Sequence, residues 1–145
     1  AAWNYYQSVD TPQNKQFVSN FKAYCKKNNL PDGDKRVTDD PIEAAYFGVH
    51  VWKQAVEKAG SIDVDKVRKA VYGQKFLAPG GEIMMDQGNH HTHKPVLIGE
   101  ILKDGQFKIV SRSKGLVKPE PWSEYTSPDK GCDWISHQGT YSKKG

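Results

Sequence analysis

Residues 39–60 read DDPIEAAYFGVHVWKQAVEKAG, and this stretch predicts a long helix around which the other elements pack. At its start, Asp40 is the predicted capping residue, Pro41 suits the first helical position and Glu43 lies three residues after the cap. Gly60 is the predicted end, because glycine readily adopts the left-handed conformation that closes many helices. Apolar residues at spacings of three and four form one stripe, which comprises Ile42, Ala45, Tyr46, Val49, Trp52, Val56 and Ala59.

The first three turns of this helix also carry apolar residues outside the stripe. Ala44, Phe47, Gly48 and Val51 widen the stripe until the helix is apolar on nearly every side. A surface helix keeps one polar face, so this pattern is typical of a helix in a protein interior. We therefore expect the helix to be enclosed by other parts of the protein.

The composition is that of one globular domain. The chain has 145 residues, of which 37% are hydrophobic and 26% are charged. It has no run of 18 apolar residues, and its first residues lack the pattern of a secretory signal. The formal net charge of +4 comes from scattered lysines. A nucleic-acid-binding protein concentrates such charge on one face, so we predict a solvated basic surface and no nucleic-acid partner.

Two further helices flank the long one. Thr11 and Pro12 predict the start of the first helix, and Asp63 and Gly73 predict the start and end of the third. Residues 2–6 predict a short aromatic strand or an extended crossing segment. The predicted buried positions of the two helices are Phe17, Val18, Phe21, Tyr24 and Cys25 in the first, and Val64, Val67, Ala70 and Val71 in the third.

After Phe76 the apolar period changes from 3.6 to 2, which indicates strands. We predict a turn at 78–81, strands at 82–86, 94–102 and 107–111, and an Asp-Gly hairpin turn at 103–106. Beyond Lys114 the chain is rich in proline, and we predict an extended tail. Its predicted surface contacts are made by Trp122, Tyr125 and Trp134.

Histidines and cysteines are the candidate metal ligands. His90, His91 and His93 are clustered, and the last two would point the same way on a strand. No cysteine or well-placed acidic residue is near them in the sequence, so we predict no metal site. Cys25 and Cys132 lie far apart, and two cysteines do not establish a disulfide framework, so their pairing stays open.

Catalytic motifs are absent from the sequence. There is no nucleophile elbow, no phosphate-binding glycine loop and no zinc-protease motif. Asp39 and Asp40 are neighbours, but adjacent residues do not face one cleft together. We therefore predict that the chain is not an enzyme and uses no cofactor, and a metal-dependent hydrolase is the distant alternative.

The aromatic segment at residues 3–6 has two interpretations. Aromatic rings with an amide or hydroxyl group nearby can form the pocket of a small polar ligand. The same rings can instead belong to the hydrophobic core, and the pattern alone favours the core.

Seven segments resemble, in the same order, those of one known family. They are AAWNYYQSVDTP (1–12), DPIEAAYFGV (40–49), WKQAVEKAG (52–60), NHH (89–91), KPVLIG (94–99), DGQF (104–107) and KPEPW (118–122).

The family is the type I periplasmic solute-binding proteins, in the branch that contains the urea receptor of ABC transporters and the amide sensor of amidase operons. The resemblance implies an α/β fold, with this chain as the C-terminal portion of a two-lobed protein. Residues 1–8 would be a strand crossing the hinge, 9–76 the helical part of the first lobe, 77–113 the β-hairpin part of the second, and 114–145 the proline-rich tail. The rest of both lobes would come from a missing N-terminal portion.

By the same resemblance, ligand contacts lie in the hinge segment and at the start of the long helix. They are Trp3, Asn4, Tyr5, Asp40 and Glu43. A helix start suits this role because its free N–H groups can meet a carbonyl oxygen. If Asp40 caps its own helix, however, its carboxylate is less available to a ligand. The NHH motif is not a metal site in this family.

The implied function is the solute-binding component of an ABC transporter for urea or short-chain amides. Its partners would be that small polar ligand, a membrane permease and the missing N-terminal portion, and its location would be the periplasm or the cell surface. A cytosolic amide-sensing regulator of the same fold and a branched-chain amino acid receptor are the alternatives.

Overall fold

The computed structural model describes residues 1–120 of the chain. Within them three helices lie between a short first strand and five later strands. The helices are α1 (Pro12–Lys27), α2 (Asp40–Ala59) and α3 (Val64–Ala70), with a short 3-10 turn at Gly33–Lys35. The strands are β1 (Ala2–Trp3), β2 (Lys75–Ala78), β3 (Gly81–Met85), β4 (Thr92–His93), β5 (Leu97–Ile101) and β6 (Phe107–Arg112).

The strands form two antiparallel sheets. One has the order β1-β5-β6, so Trp3 pairs with Leu97 although the two are far apart in the sequence. The other has the order β2-β3-β4 and is built from consecutive strands. Helices combined with antiparallel sheets confirm the predicted α/β class. None of the helices within residues 1–120 has both the length and the hydrophobicity needed to cross a membrane.

The helix starts follow from side-chain caps. Thr11 caps α1 and Asp63 caps α3, as predicted. For α2 the prediction is wrong by one residue, because Asp39 is the cap and its Oδ1 accepts a hydrogen bond from the N–H of Ile42 at 2.9 Å. Asp40 is instead the first helical residue, so its carboxylate is not used for capping.

Helix α2 buries a different face from the predicted one. Glu43, Phe47, Val51 and Ala55 are buried at intervals of four, and Phe47 and Val51 pack against β2 and β3. In contrast, Trp52 of the predicted stripe is 57% exposed. Within residues 1–120 only one side of α2 is covered, and its enclosure by other parts of the protein stays a prediction. Other predicted core residues that are exposed are Tyr24, Ala45, Tyr46, Val49 and Val64.

Of the strands after α3, two lie where predicted, one begins later than predicted and two were not predicted. Strands β3 and β6 and the turn containing Gly105, whose φ is 79°, lie where predicted within one residue. The predicted strand at 94–102 is wrong at its start, because only Leu97–Ile101 forms β5 and Pro95 has no N–H to donate. Strands β2 and β4, which border β3 on either side, were not predicted.

The hydrophobic core consists of two clusters. The first brings the segment after β1 against α1 and β5, and the second brings α2 against β2 and β3. The first contains Tyr5, Tyr6, Val9, Phe17 and Leu97, and the second contains Phe47, Val51, Ala78 and Ile83.

Some expectations lie outside the described residues. These are the contacts of Trp122, Tyr125 and Trp134 and the state of Cys132, while Cys25 is buried in α1. The division into segments 1–8, 9–76, 77–113 and 114–145 of two lobes stays a prediction.

Replacing Gly99 by alanine is expected to destabilise the first core cluster. A Cβ at this position would lie 2.9 Å from Cζ of Tyr6 and 3.0 Å from Cδ1 of Phe107, and these two rings stack with centroids 4.6 Å apart. Overpacking of this kind costs about 1–3 kcal/mol. Urea denaturation of Gly99→Ala and of Gly115→Ala, whose Cβ meets nothing within 4 Å, measures the difference. Equal stability of the two variants would contradict the prediction.

Candidate functional site

The turn between β2 and β3 is held by three other elements. The hydroxyl of Thr11 donates to the carbonyl of Pro79 at 2.8 Å. The N–H of Gly80 donates to Oε1 of Glu43 at 3.0 Å, and Nη2 of Arg112 donates to the carbonyl of Gly80 at 3.2 Å. The cap of α1, the buried face of α2 and the end of β6 therefore meet at this turn.

Gly80 is also where the segment after β1 approaches α2. A Cβ on Gly80 would lie 3.2 Å from Oε1 of Glu43, 3.4 Å from the ring of Tyr5 and 3.7 Å from the carbonyl oxygen of Asn4. The absence of a side chain lets these three residues converge on one backbone position. The segment after β1, the start of α2 and the β2–β3 turn are thus adjacent.

Beside this turn, one lysine joins two carboxylates. Nζ of Lys94 lies 2.7 Å from Oδ1 of Asp40 and 2.9 Å from Oε2 of Glu43. It also lies 5.0 Å from the centroid of the Phe47 ring, a distance suited to a cation–π contact. The Lys94 side chain is 11% exposed, that of Asp40 19% and that of Glu43 not at all. We call Asp40, Glu43 and Lys94 the carboxylate–lysine cluster, which carries one net negative charge.

The two carboxylates of the cluster differ in how many of their oxygens are free to accept a further hydrogen bond. Both oxygens of Glu43 are occupied, one by Gly80 and the other by Lys94. Asp40 uses only Oδ1, and its Oδ2 accepts no hydrogen bond from residues 1–120. The backbone N–H of Asp40 has no acceptor among these residues either, whereas that of Ile42 is taken by the cap. Asp40 therefore has one donor and one acceptor that no group within residues 1–120 occupies.

The segment after β1 places its side chains in different surroundings. Tyr5 is fully buried, and its hydroxyl donates to Oδ1 of Asn14 at 2.7 Å and lies 2.8 Å from Oγ1 of Thr38. Burial raises the pKa of Tyr5 to about 12. Nδ2 of Asn4 donates to the carbonyl of Pro95 at 2.9 Å, next to the cluster lysine. Asn4 Oδ1 accepts no hydrogen bond within the described part of the chain.

Four of the five predicted site residues come together in the structure. Asn4, Tyr5 and Glu43 converge on Gly80, and Lys94 links Glu43 to Asp40. Trp3 lies in β1, is 44% exposed and packs edge-on against Tyr6. Lys94 was missed by the sequence reasoning. The sequence pattern places Lys94 in a predicted strand. The only local sign of a different role is that this charged residue directly precedes the apolar residues 95–98.

The histidine cluster does not form a metal site within residues 1–120, where no three potential ligands are grouped. The expectation that no acidic residue is near is wrong, because Nε2 of His93 lies 2.7 Å from Oδ2 of Asp86. The backbone N–H of Gly88, and after it the ring of His93, hold the pKa of Asp86 below its usual value. His90 stacks on Tyr72, so these histidines support the loop between β3 and β4.

The architecture is that of an α/β domain in which the segment after β1, the start of α2 and the β2–β3 turn lie around one polar cluster. Residues 1–128 match the family described as periplasmic binding protein domain, and the chain belongs to this family. This membership confirms the predicted fold, a portion of a type I periplasmic binding protein.

Two solved structures of ABC transporter proteins are also similar to this chain. A solute-binding protein of an ABC transporter from Rhodopseudomonas palustris HaA2, solved with p-hydroxybenzoic acid, is 27% identical with a TM-score of 0.65. An amino acid ABC transporter substrate-binding protein from Pseudomonas fluorescens Pf-5 is 26% identical with a TM-score of 0.59. The similarity covers 81% and 82% of this chain but only 31% of each of those chains.

A protein named limonene hydroxylase from Geobacillus stearothermophilus is also similar. It is 31% identical over 118 residues, which are 81% of this chain and 20% of that protein. The chain thus spans about a fifth of this relative and about a third of the two solved structures.

Replacing Lys94 by methionine is expected to lower the free energy of unfolding by about 3–5 kcal/mol, because a buried carboxylate loses its partner. Adding Glu43→Gln should restore most of this loss, since glutamine can still accept from the N–H of Gly80. Chemical denaturation measures both effects. Lys103→Met, in the exposed β5–β6 turn, is the control and should change stability by less than about 0.5 kcal/mol. An equally small effect of Lys94→Met would show that the carboxylate–lysine cluster contributes little to stability.

Alkaline pH should destabilise the fold through Tyr5. Its pKa is about 12 in the fold and about 10 in an unfolded chain. The stabilisation of the neutral phenol is therefore complete below pH 10 and is lost as the pH rises through 12. Allowing for solvent screening, we expect a loss of about 2 kcal/mol.

Unfolding free energies of wild type and Tyr5→Phe between pH 8 and pH 12 check this prediction, with Tyr24→Phe as an exposed control. The stability advantage of wild type over Tyr5→Phe should shrink above pH 10. Parallel curves across the whole range would contradict it.

Proposed function

We propose that the chain is part of the solute-binding component of an ABC transporter and that its ligand is urea or a short-chain amide. The observation that carries this proposal is the free hydrogen-bonding capacity beside the cluster. Asp40 offers Oδ2 and its backbone N–H, and Asn4 offers Oδ1, none of them bonded within residues 1–120. Two acceptors and one donor complement urea, which has two amino groups and one carbonyl oxygen.

The charge of the cluster also favours such a ligand. With two carboxylates and one ammonium, it carries one net negative charge. A carboxylate ligand, such as the p-hydroxybenzoic acid bound by the Rhodopseudomonas relative, would be repelled by Asp40. A neutral amide avoids this repulsion and donates hydrogen bonds to the free oxygen. The ammonium group of an amino acid would also suit Asp40, so a branched-chain amino acid receptor is the second candidate.

The five predicted residues take different roles in this proposal. Asp40 and Asn4 contact the ligand through their free polar atoms, and the exposed ring of Trp3 forms an apolar wall. Tyr5 and Glu43 are fully buried and already bonded, so they support the contacting residues. No metal or cofactor takes part.

The proposed partners follow from the uncovered faces and from the relatives. The solved relatives are about three times as long as the matched segment. We propose that further polypeptide of the same two-lobed protein covers the apolar face of α2 around Val49 and Trp52. The closed lobes would hand the ligand to a membrane permease at the periplasmic or cell surface. A cytosolic amide sensor of the same fold is the alternative, and an export signal in the precursor distinguishes the two.

Calorimetric titration of the complete protein tests the ligand. Urea or acetamide should bind, p-hydroxybenzoate should not, and Asp40→Asn should weaken binding at least about tenfold, because a hydrogen bond to a charged group is lost. Asp104→Asn, in the exposed β5–β6 turn, is the matched control and should leave the affinity unchanged. Heat only with leucine would favour the amino acid receptor, and no heat with urea or any amide would overturn the urea/amide proposal.

A further inference from the structure

We propose that Lys94 is a positioning residue that orients Asp40 for the ligand. Its ammonium group holds Oδ1 of Asp40 at 2.7 Å, which fixes the carboxylate with Oδ2 unbonded. This inference rests on the proposed function, because it assigns to Lys94 the task of presenting the oxygen that receives the ligand. Lys94 itself does not contact the ligand.

The backbone of Lys94 is fixed on both sides. Its carbonyl accepts a hydrogen bond from the N–H of Val117 at 2.8 Å. The next carbonyl, that of Pro95, accepts from Nδ2 of Asn4 at 2.9 Å, and the proline ring restricts the backbone further. The base of the Lys94 side chain is therefore held by the segment after β6 and by the segment after β1.

The ammonium end is fixed by α2. Glu43 has no exposed surface, and its Oε1 is bound to the N–H of Gly80, so its Oε2 is a rigid acceptor for Lys94. The Phe47 ring lies against the ammonium group, and only 11% of the Lys94 side chain is exposed. The rigid carboxylate of Glu43 thus positions Lys94, and Lys94 in turn positions the carboxylate of Asp40.

Asp40 needs such a support because no other group within residues 1–120 holds its side chain. It stands at the first position of α2, and the capping hydrogen bond that would have fixed it is made by Asp39. Without Lys94, the Asp40 side chain would be ordered only when the ligand binds. Ordering one such side chain weakens affinity by up to about tenfold.

A double-mutant cycle on ligand affinity tests this role. All four proteins keep Glu43, whose carboxylate positions the lysine, and they differ by Lys94→Met and Asp40→Asn. Calorimetry with urea gives the four dissociation constants, and thermal denaturation verifies that each protein is folded. With Asp40 present, Lys94→Met should weaken binding about tenfold. With asparagine at position 40, the same change should weaken binding less than about twofold, because there is no carboxylate left to orient.

A purely structural role would produce a different result. Lys94→Met would then weaken binding by the same factor in both backgrounds, and the positioning role would be overturned. If Lys94→Met does not fold, Lys94→Gln takes its place in the same cycle. If the protein with native Lys94, Asp40 and Glu43 binds neither urea nor acetamide, the proposed function fails and this inference fails with it. Binding by that protein together with an additive cycle overturns the inference alone.

Discussion

The carboxylate of Glu43 is the group on which the arrangement of the described residues most depends. Burying a carboxylate costs folding free energy unless hydrogen bonds and an opposite charge replace the water that solvates it. Here the N–H of Gly80 and the ammonium of Lys94 replace it. These partners come from the β2–β3 turn and from the segment before β5, so one charge on α2 requires both segments to lie against the helix.

This requirement explains why the surrounding residues are small or anchored. Gly80 must lack a side chain, because a Cβ would crowd Glu43 and Tyr5. The same turn is also held by Thr11 and Arg112, so its backbone is fixed before any ligand arrives. Within residues 1–120, a preorganised support of this kind leaves polar atoms of Asp40 and Asn4 free at its edge. The candidate site thus results from the packing that gives the buried Glu43 carboxylate its two partners, the N–H of Gly80 and the ammonium group of Lys94.

The sequence predicted the local features well and the long-range features poorly. Thr11 and Asp63 were recognisable as caps because capping depends on residues within one helical turn. Asp39 and Asp40 are adjacent and both suit a cap, and Pro41 fits either register, so the sequence alone does not distinguish them. The contacts of Lys94 span 54 and 51 positions, and no local pattern encodes them. The buried side of α2 was not predictable either, because apolar residues occur all round the helix.

The similar proteins share a scaffold but not a ligand, which limits what the fold can say about specificity. One is named for amino acids and another was solved with an aromatic acid, yet both superpose on this chain to a similar extent. Ligand choice must then depend on the few groups that contact the ligand rather than on the scaffold. In this chain the cluster contains two carboxylates and one ammonium group. If Asp40 contacts the ligand as we propose, an anion that suits a relative would be repelled by its carboxylate, whereas a donor of N–H groups would find an acceptor.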